Sequence, residues 1–251
     1  MDYGQLMPDA ELYRCLNHHS TPESGIQVSP LRQSISQALF VASTKFWHPT
    51  DHVIPVCWEP ATAGGDTQRE RDIVKSAIER SWQRALDDPY LPVEKRYRFG
   101  GWDICRPGAK GIRIKISDER PHTSALGNDL DGKENGVILN FKFSNWIKEC
   151  AVEPMHSLCV AEIAVHEFGH ALGFSHEQNR PDTNRETCTD APQGSYGDLL
   201  LGDWDEHSVM NYCNPRPDND GMLSTGDVRG VQYAYYPDEF DYACIGSTKG
   251  L

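Results

Sequence analysis

Positive charge is scarce in this sequence of 251 residues: 24 lysines and arginines stand against 37 aspartates and glutamates, a formal net charge of −13. Little here would neutralise a run of phosphates, which argues against a nucleic-acid partner and disfavours an anionic membrane surface. No apolar run approaches the roughly 18 residues of a membrane-spanning helix, so membrane insertion is not expected. Residues Met1–Ser20 carry Asp2, Asp9 and Glu11 around no hydrophobic centre, and they do not read as a signal peptide. Cys-x-x-Cys pairs, internal repeats and low-complexity tracts are also lacking. What remains is the composition of an ordinary soluble globular protein, 38% hydrophobic and 24% charged. The length suits one large domain, or one domain with an extension, and a monomer is expected.

The eight cysteines (15, 57, 105, 150, 159, 188, 213 and 244) are even in number and form no metal-binding motif among themselves. Disulfides in a secreted or extracellular protein are the expected use.

Chemistry concentrates in one segment, His166-Glu167-Phe168-Gly169-His170-Ala171-Leu172-Gly173-Phe174-Ser175-His176-Glu177. On a helix, residues four apart share a face, so His166 and His170 can present two nitrogens to one metal ion. Glu167 follows the first of them, where its carboxylate can take a proton from a metal-activated water. Gly173 permits a left-handed backbone turn that ends the helix and returns the chain, so that His176 can supply a third nitrogen. Three ligands leave a fourth position open, which marks a catalytic Zn²⁺ site and not a structural one. The plain alternative is a helix with surface histidines and a core stripe of Ile163, Val165 and Leu172. It leaves the fixed spacing of Gly173 and His176 unexplained.

These twelve residues resemble the extended zinc signature of the metzincin metalloproteases, and Glu177 after the third histidine is similar to the astacin branch. Further on, Ser208-Val209-Met210-Asn211-Tyr212 resembles the metzincin Met-turn. The resemblance implies that Met210 forms an apolar floor beneath the metal. It also implies that Tyr212 is a further zinc ligand at rest, whose phenol swings away to hydrogen-bond the developing oxyanion. The implied activity is that of a zinc-dependent endopeptidase acting on protein or peptide substrates, with Glu167 as general base. The implied fold is α+β: a twisted mixed five-stranded sheet with two long helices in the N-terminal subdomain, and a loop-rich C-terminal subdomain ending in a helix. The pattern Leu223-Ser224-x-x-Asp227-x-x-Gly230-x-Gln232 is similar to the closing helix of matrixins. Two positions depart from astacins. Asn211 stands where they usually have histidine, and about 45 residues precede the domain, so Glu177 needs either a processed N-terminus or another partner such as a nearby arginine. Cys188 and Cys213 flank the segment between the zinc helix and the Met-turn and are the best-supported disulfide. Cys57–Cys105 and Cys150–Cys159 are its companions, although spacing alone does not fix the connectivity.

Residues 1–44 read as an N-terminal extension or pro-segment, and 45–251 as the catalytic domain, divided into 45–175 and 176–251. In the extension, Ser29-Pro30 can start a helix with Leu31, Ile35, Leu39 and Ala42 on one face. Cys15 matches no cysteine-switch motif. A strand is expected within Trp47–Trp58. A helix from the capping-box pattern Thr67-Gln68-Arg69-Glu70 should run to about Leu86. Strands are expected at Tyr97–Trp102, Gly111–Ile116 (half-buried, by its alternation) and Val137–Phe143, the last as the edge that pairs with substrate. The zinc helix should span about Leu158–Leu172, and a helix capped by Ser224 should end at Tyr235. Two acidic loops, Asn128–Glu134 and Asp218–Gly221, carry oxygen ligands suited to Ca²⁺, although such runs also occur as solvated turns. The competing classes are a metzincin-fold binding module without catalysis and a latent zymogen silenced by its N-terminal segment. Intact Glu167 and a full ligand set speak against the first.

Overall fold

The computed structural model describes residues 38–60, 67–89, 91–215 and 221–237. The expected helix before residue 38, Cys15, Cys244 and Asp218–Asp220 lie outside the described residues. The described residues from 38 to 235 belong to one compact unit.

In chain order the elements are β1 (Ala38–Val41), β2 (Val53–Trp58), α1 (Gln68–Arg80), α2 (Trp82–Leu86), β3 (Arg98–Ile104), β4 (Ile112–Ile116), β5 (His122–Thr123), β6 (Val137–Leu139), α3 (Met155–Ala171), β7 (Phe174–Ser175), β8 (Leu199–Gly202) and α4 (Thr225–Tyr235). The main sheet has the order β3-β2-β4-β6-β5. All its pairs are parallel except β5–β6, so it is the mixed five-stranded sheet of an α+β fold. No helix among the described residues is long and apolar enough to cross a membrane.

Strand β4 is buried on both faces, not one. Ile112, Ile114 and Ile116 face the core, and Arg113 on the other side is also buried, with Nε and Nη2 donating to the Glu59 carboxylate at 2.9 and 3.0 Å. A bidentate carboxylate pair lets a guanidinium lie where alternation alone would place it in water.

Two expectations about β6 need correction. The strand ends at Leu139, because Asn140 Oδ1 accepts the backbone N–H groups of Lys142 and Phe143, each at 2.8 Å, and turns the chain. It is also internal, lying between β4 and β5; the edge on that side is β5. The helix expected from Thr67 to Leu86 breaks at Ser81, whose Oγ donates to Ala77 O at 2.7 Å and whose backbone leaves the helical region. At its start, the Thr67 hydroxyl bonds the Glu70 carboxylate instead of a free backbone N–H. The closing helix does carry a capping box: Asp227 N donates to Ser224 Oγ and Ser224 N to Asp227 Oδ2, both at 2.9 Å.

A second sheet, antiparallel and of order β7-β1-β8, was not anticipated. Leu39 lies in β1, fully buried, where the periodicity placed it on a helix. The disulfides Cys57–Cys105, Cys150–Cys159 and Cys188–Cys213 are all formed.

The calcium expectation is not supported. In the loop 128–134, Asp129 pairs with Lys45 at 2.8 Å, Asp131 accepts from Gly111 N at 2.7 Å and lies 3.5 Å from Lys110, and Glu134 lies 3.5 Å from Arg113. Oxygens committed to cationic side chains and backbone are not a vacant cation cage.

Candidate active site

Helix α3 carries His166, Glu167 and His170 and is anchored at its C-terminal end. The final carbonyls of a helix lack intrahelical partners; here Ala171 O accepts from Trp47 Nε1 at 2.7 Å and Leu172 O from Tyr235 Oη at 3.0 Å. Trp82 Nε1 donates to Val165 O at 2.7 Å, further back along the helix. Gly173 follows with φ +102°, a backbone conformation that an L side chain resists, and reverses the chain into β7. His176 comes immediately after β7. The end of the helix is thereby fixed on two sides, and the third imidazole is brought back to the first two.

The three rings converge. His176 Nε2 lies 3.2 Å from His166 Nε2 and 3.1 Å from His170 Nε2. Each Nδ1 faces a backbone carbonyl: Val209 O at 2.8 Å for His166, Phe174 O at 2.7 Å for His170 and Gln193 O at 2.9 Å for His176. A carbonyl can only accept, so each Nδ1 carries the proton and each Nε2 turns a lone pair inward. Burial, reinforced by the charge of the neighbouring imidazoles, pushes His166 down to about 3 and His170 well below its ordinary value; burial also lowers His176. The rings are therefore neutral, as metal ligation requires.

Three lone pairs this close repel one another unless a cation lies among them. A tetrahedral Zn²⁺ holding imidazole nitrogens at about 2.0–2.1 Å would set neighbouring donors about 3.3–3.4 Å apart, near the separations found. These three residues are the one group of histidine, cysteine or acidic side chains among the described residues arranged to hold a metal ion. The donor set fits zinc.

Glu167 is buried beside the triad, and burial raises its carboxyl to about 7, opposed by a hydrogen bond from Thr123 and the charge of Arg120. Thr123 Oγ1 donates to Glu167 Oε2 at 2.7 Å. The ring of Tyr212 lies 4.5 Å from that of His176 and 5.3 Å from that of His166, centroid to centroid, and is 40% exposed. Burial of its hydroxyl and the Glu167 charge raise its pKa, while the charge of Arg120 and a hydrogen bond from it oppose the rise.

Met210 is fully buried against α3. A Cβ on Gly169 would lie 2.2 Å from Met210 Sδ, so the glycine inside the motif is what lets the methionine pack directly on the helix. The turn carrying Met210 also supplies Val209 O, the acceptor for His166. Asp227 holds that turn, Oδ1 accepting from Ser208 Oγ at 2.6 Å and Oδ2 from Val209 N at 2.9 Å.

Glu177 does find an arginine. Its Oε1 lies 3.3 Å from Arg180 Nε and accepts from Asp205 N at 3.1 Å, and both side chains are fully buried. All the site residues expected from the sequence, His166, Glu167, His170, His176, Met210 and Tyr212, come together. Thr123, Arg120 and Gln193 were missed. Thr123 lies in a two-residue strand too short to show a pattern, and a backbone acceptor such as Gln193 O leaves no trace in the side-chain sequence.

Comparison with known proteins agrees with this geometry. Residues 155–189 match the model of the Astacin peptidase family. No curated protein matches the chain. Among solved structures, one described as "Structure of myroilysin" matches with a TM-score of 0.50 and 19% identity, covering 78% of this chain and 98% of that one. A second, "Crystal structure of myroilysin", gives a TM-score of 0.45 and 15% identity over 85% and 99% of the two chains. At such identities the first match speaks for the fold alone. The family match over the motif segment and the histidine triad together support a zinc metalloprotease of astacin-like, metzincin type.

Proposed function

We propose that this protein is an exported zinc-dependent endopeptidase that hydrolyses peptide bonds of protein substrates. The observation carrying this reading is the convergence of three Nε2 lone pairs beside a buried glutamate. In this reading residues 1–44 are an extension or pro-segment, and the three disulfides fit an extracellular setting.

His166, His170 and His176 would hold the zinc, with Tyr212 as a further ligand at rest. When bound, the ion would supply Lewis acidity and make water a far stronger acid, close to neutrality. Glu167 takes the proton from the attacking water and delivers it to the leaving amine. A proton acceptor must be ionised, and a dication beside it offsets the burial that raises its pKa. The Tyr212 hydroxyl, kept protonated by its raised pKa, donates to the oxyanion as it develops. Substrate lies extended and pairs with the free side of β5, the edge strand next to Glu167.

Glu167→Ala should retain zinc and lose peptidase activity by several orders of magnitude, measured as cleavage of a denatured protein with and without chelator. Turnover equal to the parent by that variant would defeat the general-base assignment.

A further inference from the structure

The edge strand supplies more than backbone. β5 is two residues long, and Thr123, paired in register with Val137, sends its side chain to α3. Thr123 Oγ1 donates to Glu167 Oε2 at 2.7 Å and lies 3.1 Å from the carbonyl oxygen of the same residue. Its single proton thus has two acceptors, both belonging to Glu167, whose carboxyl is buried and lies within reach of the Arg120 charge. Among the described residues, no hydrogen bond engages the other carboxylate oxygen, Oε1. A terminal carboxyl torsion is broad and roughly two-fold, so without an anchor the oxygens exchange freely.

We propose that Thr123 is a positioning residue for Glu167: its hydroxyl holds Oε2 and so makes Oε1 the oxygen that accepts the proton. This rests on the endopeptidase reading above and deepens it. The strand that receives substrate on its open edge also supports the general base, so binding and proton transfer share one element. A base held within hydrogen-bond reach of its proton reacts from a narrow range of geometries, and small misplacement is costly.

The test compares Thr123→Val, which keeps the shape and deletes the hydroxyl, with Thr123→Ser, which keeps the hydroxyl and deletes a methyl. Both are made in the full chain, with zinc content measured for each. We expect Thr123→Val to retain zinc and KM while kcat falls roughly 10- to 100-fold, and Thr123→Ser to recover most of that loss. If valine does not fold at this position, Thr123→Ala reads the same quantity. A valine or alanine variant within twofold of the parent kcat would overturn the proposal, as would a serine variant no better than valine. The second readout is the infrared carboxyl band of the metal-free protein, assigned by its loss in Glu167→Gln. It should shift in Thr123→Val and return in Thr123→Ser; an unmoved band overturns the proposal. If the parent cleaves nothing, the endopeptidase reading fails, while the band still decides whether Thr123 holds Glu167.

Discussion

The sheet-and-helix half that ends at His170 and the loop-rich half that begins at His176 are ordered by different forces. In the first, buried Ile54, Ile112, Ile114, Val137, Ile78 and Phe168 pack regular elements against one another, and backbone groups pair within strands and helices. In the second, regular structure is sparse and buried polar side chains take its place. Arg180, Gln178, Asn179, Ser208, Asn211 and Asp227 are all buried. Arg180 alone donates to Leu39 O, Leu201 O and Gly202 O at 3.2, 3.2 and 2.6 Å and to Asp182 through Nε and Nη2, both at 2.8 Å. It thereby joins β1 to β8 from the side. Loops buried without such partners would carry orphaned backbone groups, each costly. The metal site lies where the two kinds of order meet: His166 and His170 are aimed by a helix, His176 by a loop.

If that contrast is correct, the loop half should be far less tolerant of losing one polar residue than the sheet half is of losing one methyl group. Arg180→Met removes a donor from three carbonyls and the cation beside the Asp182 and Glu177 carboxyls. We expect a loss of about 3–5 kcal/mol in urea unfolding with disulfides intact. Ile114→Val, in the middle of the main sheet, should cost only about 1 kcal/mol. Equal costs for the two would break the comparison.

The same division explains what the sequence made legible. The motif from His166 to Glu177 combines a helical spacing, a left-handed turn at Gly173 and ligand chemistry, all local, and its three imidazoles converge. Strands β2, β3 and β4 were also foreseen, because apolar residues recur along them. β1, β5, β7 and β8 were not. They are two to four residues long, and whether they pair depends on partners distant in sequence: Phe40 with Ser175 and Leu200. Leu39 illustrates the failure. It satisfied a four-residue period with Ile35 and Leu31, yet pairing with Leu201 placed it in a sheet. The acceptors of the three Nδ1 protons were equally hidden, since they are carbonyl oxygens and every residue has one.

Gly169 and Met210 join the two halves, and their contact can be loosened from either side. Gly169→Ala adds a carbon 2.2 Å from Met210 Sδ and 3.1 Å from Trp82, where Trp82 and Met210 are both fully buried. Overpacking of this kind should cost about 1–3 kcal/mol in thermal unfolding. Met210→Ala should also destabilise by leaving a cavity. Because the alanine methyl would occupy part of that cavity, the double variant should be less destabilised than the two single costs together. Simple additivity would mean that the methionine and the helix do not press on each other.

The smallest expected effect is the part of the pH dependence that Asp227 contributes from the loop half. Burial raises Asp227 to about 7 and Glu177 to about 8, in each case above the value of an unfolded carboxyl. Between about pH 4 and 7 the folded protein therefore holds protons that the unfolded chain has released. The stabilising contribution is complete below the unfolded pKa and is lost as pH rises through the folded one. Asp227→Asn imitates the protonated acid: its oxygen can accept from Val209 N and Ser224 N, and its amide can donate to Ser208 Oγ. From pH 5 to pH 7 the change in stability should be about 1 kcal/mol less unfavourable in the variant than in the parent, because Glu167, Glu177 and the three histidines of the site titrate alike in both. Unfolding curves at the two pH values measure the difference. Identical changes in parent and variant would mean that Asp227 is already ionised at pH 5, its three hydrogen-bond donors outweighing its burial.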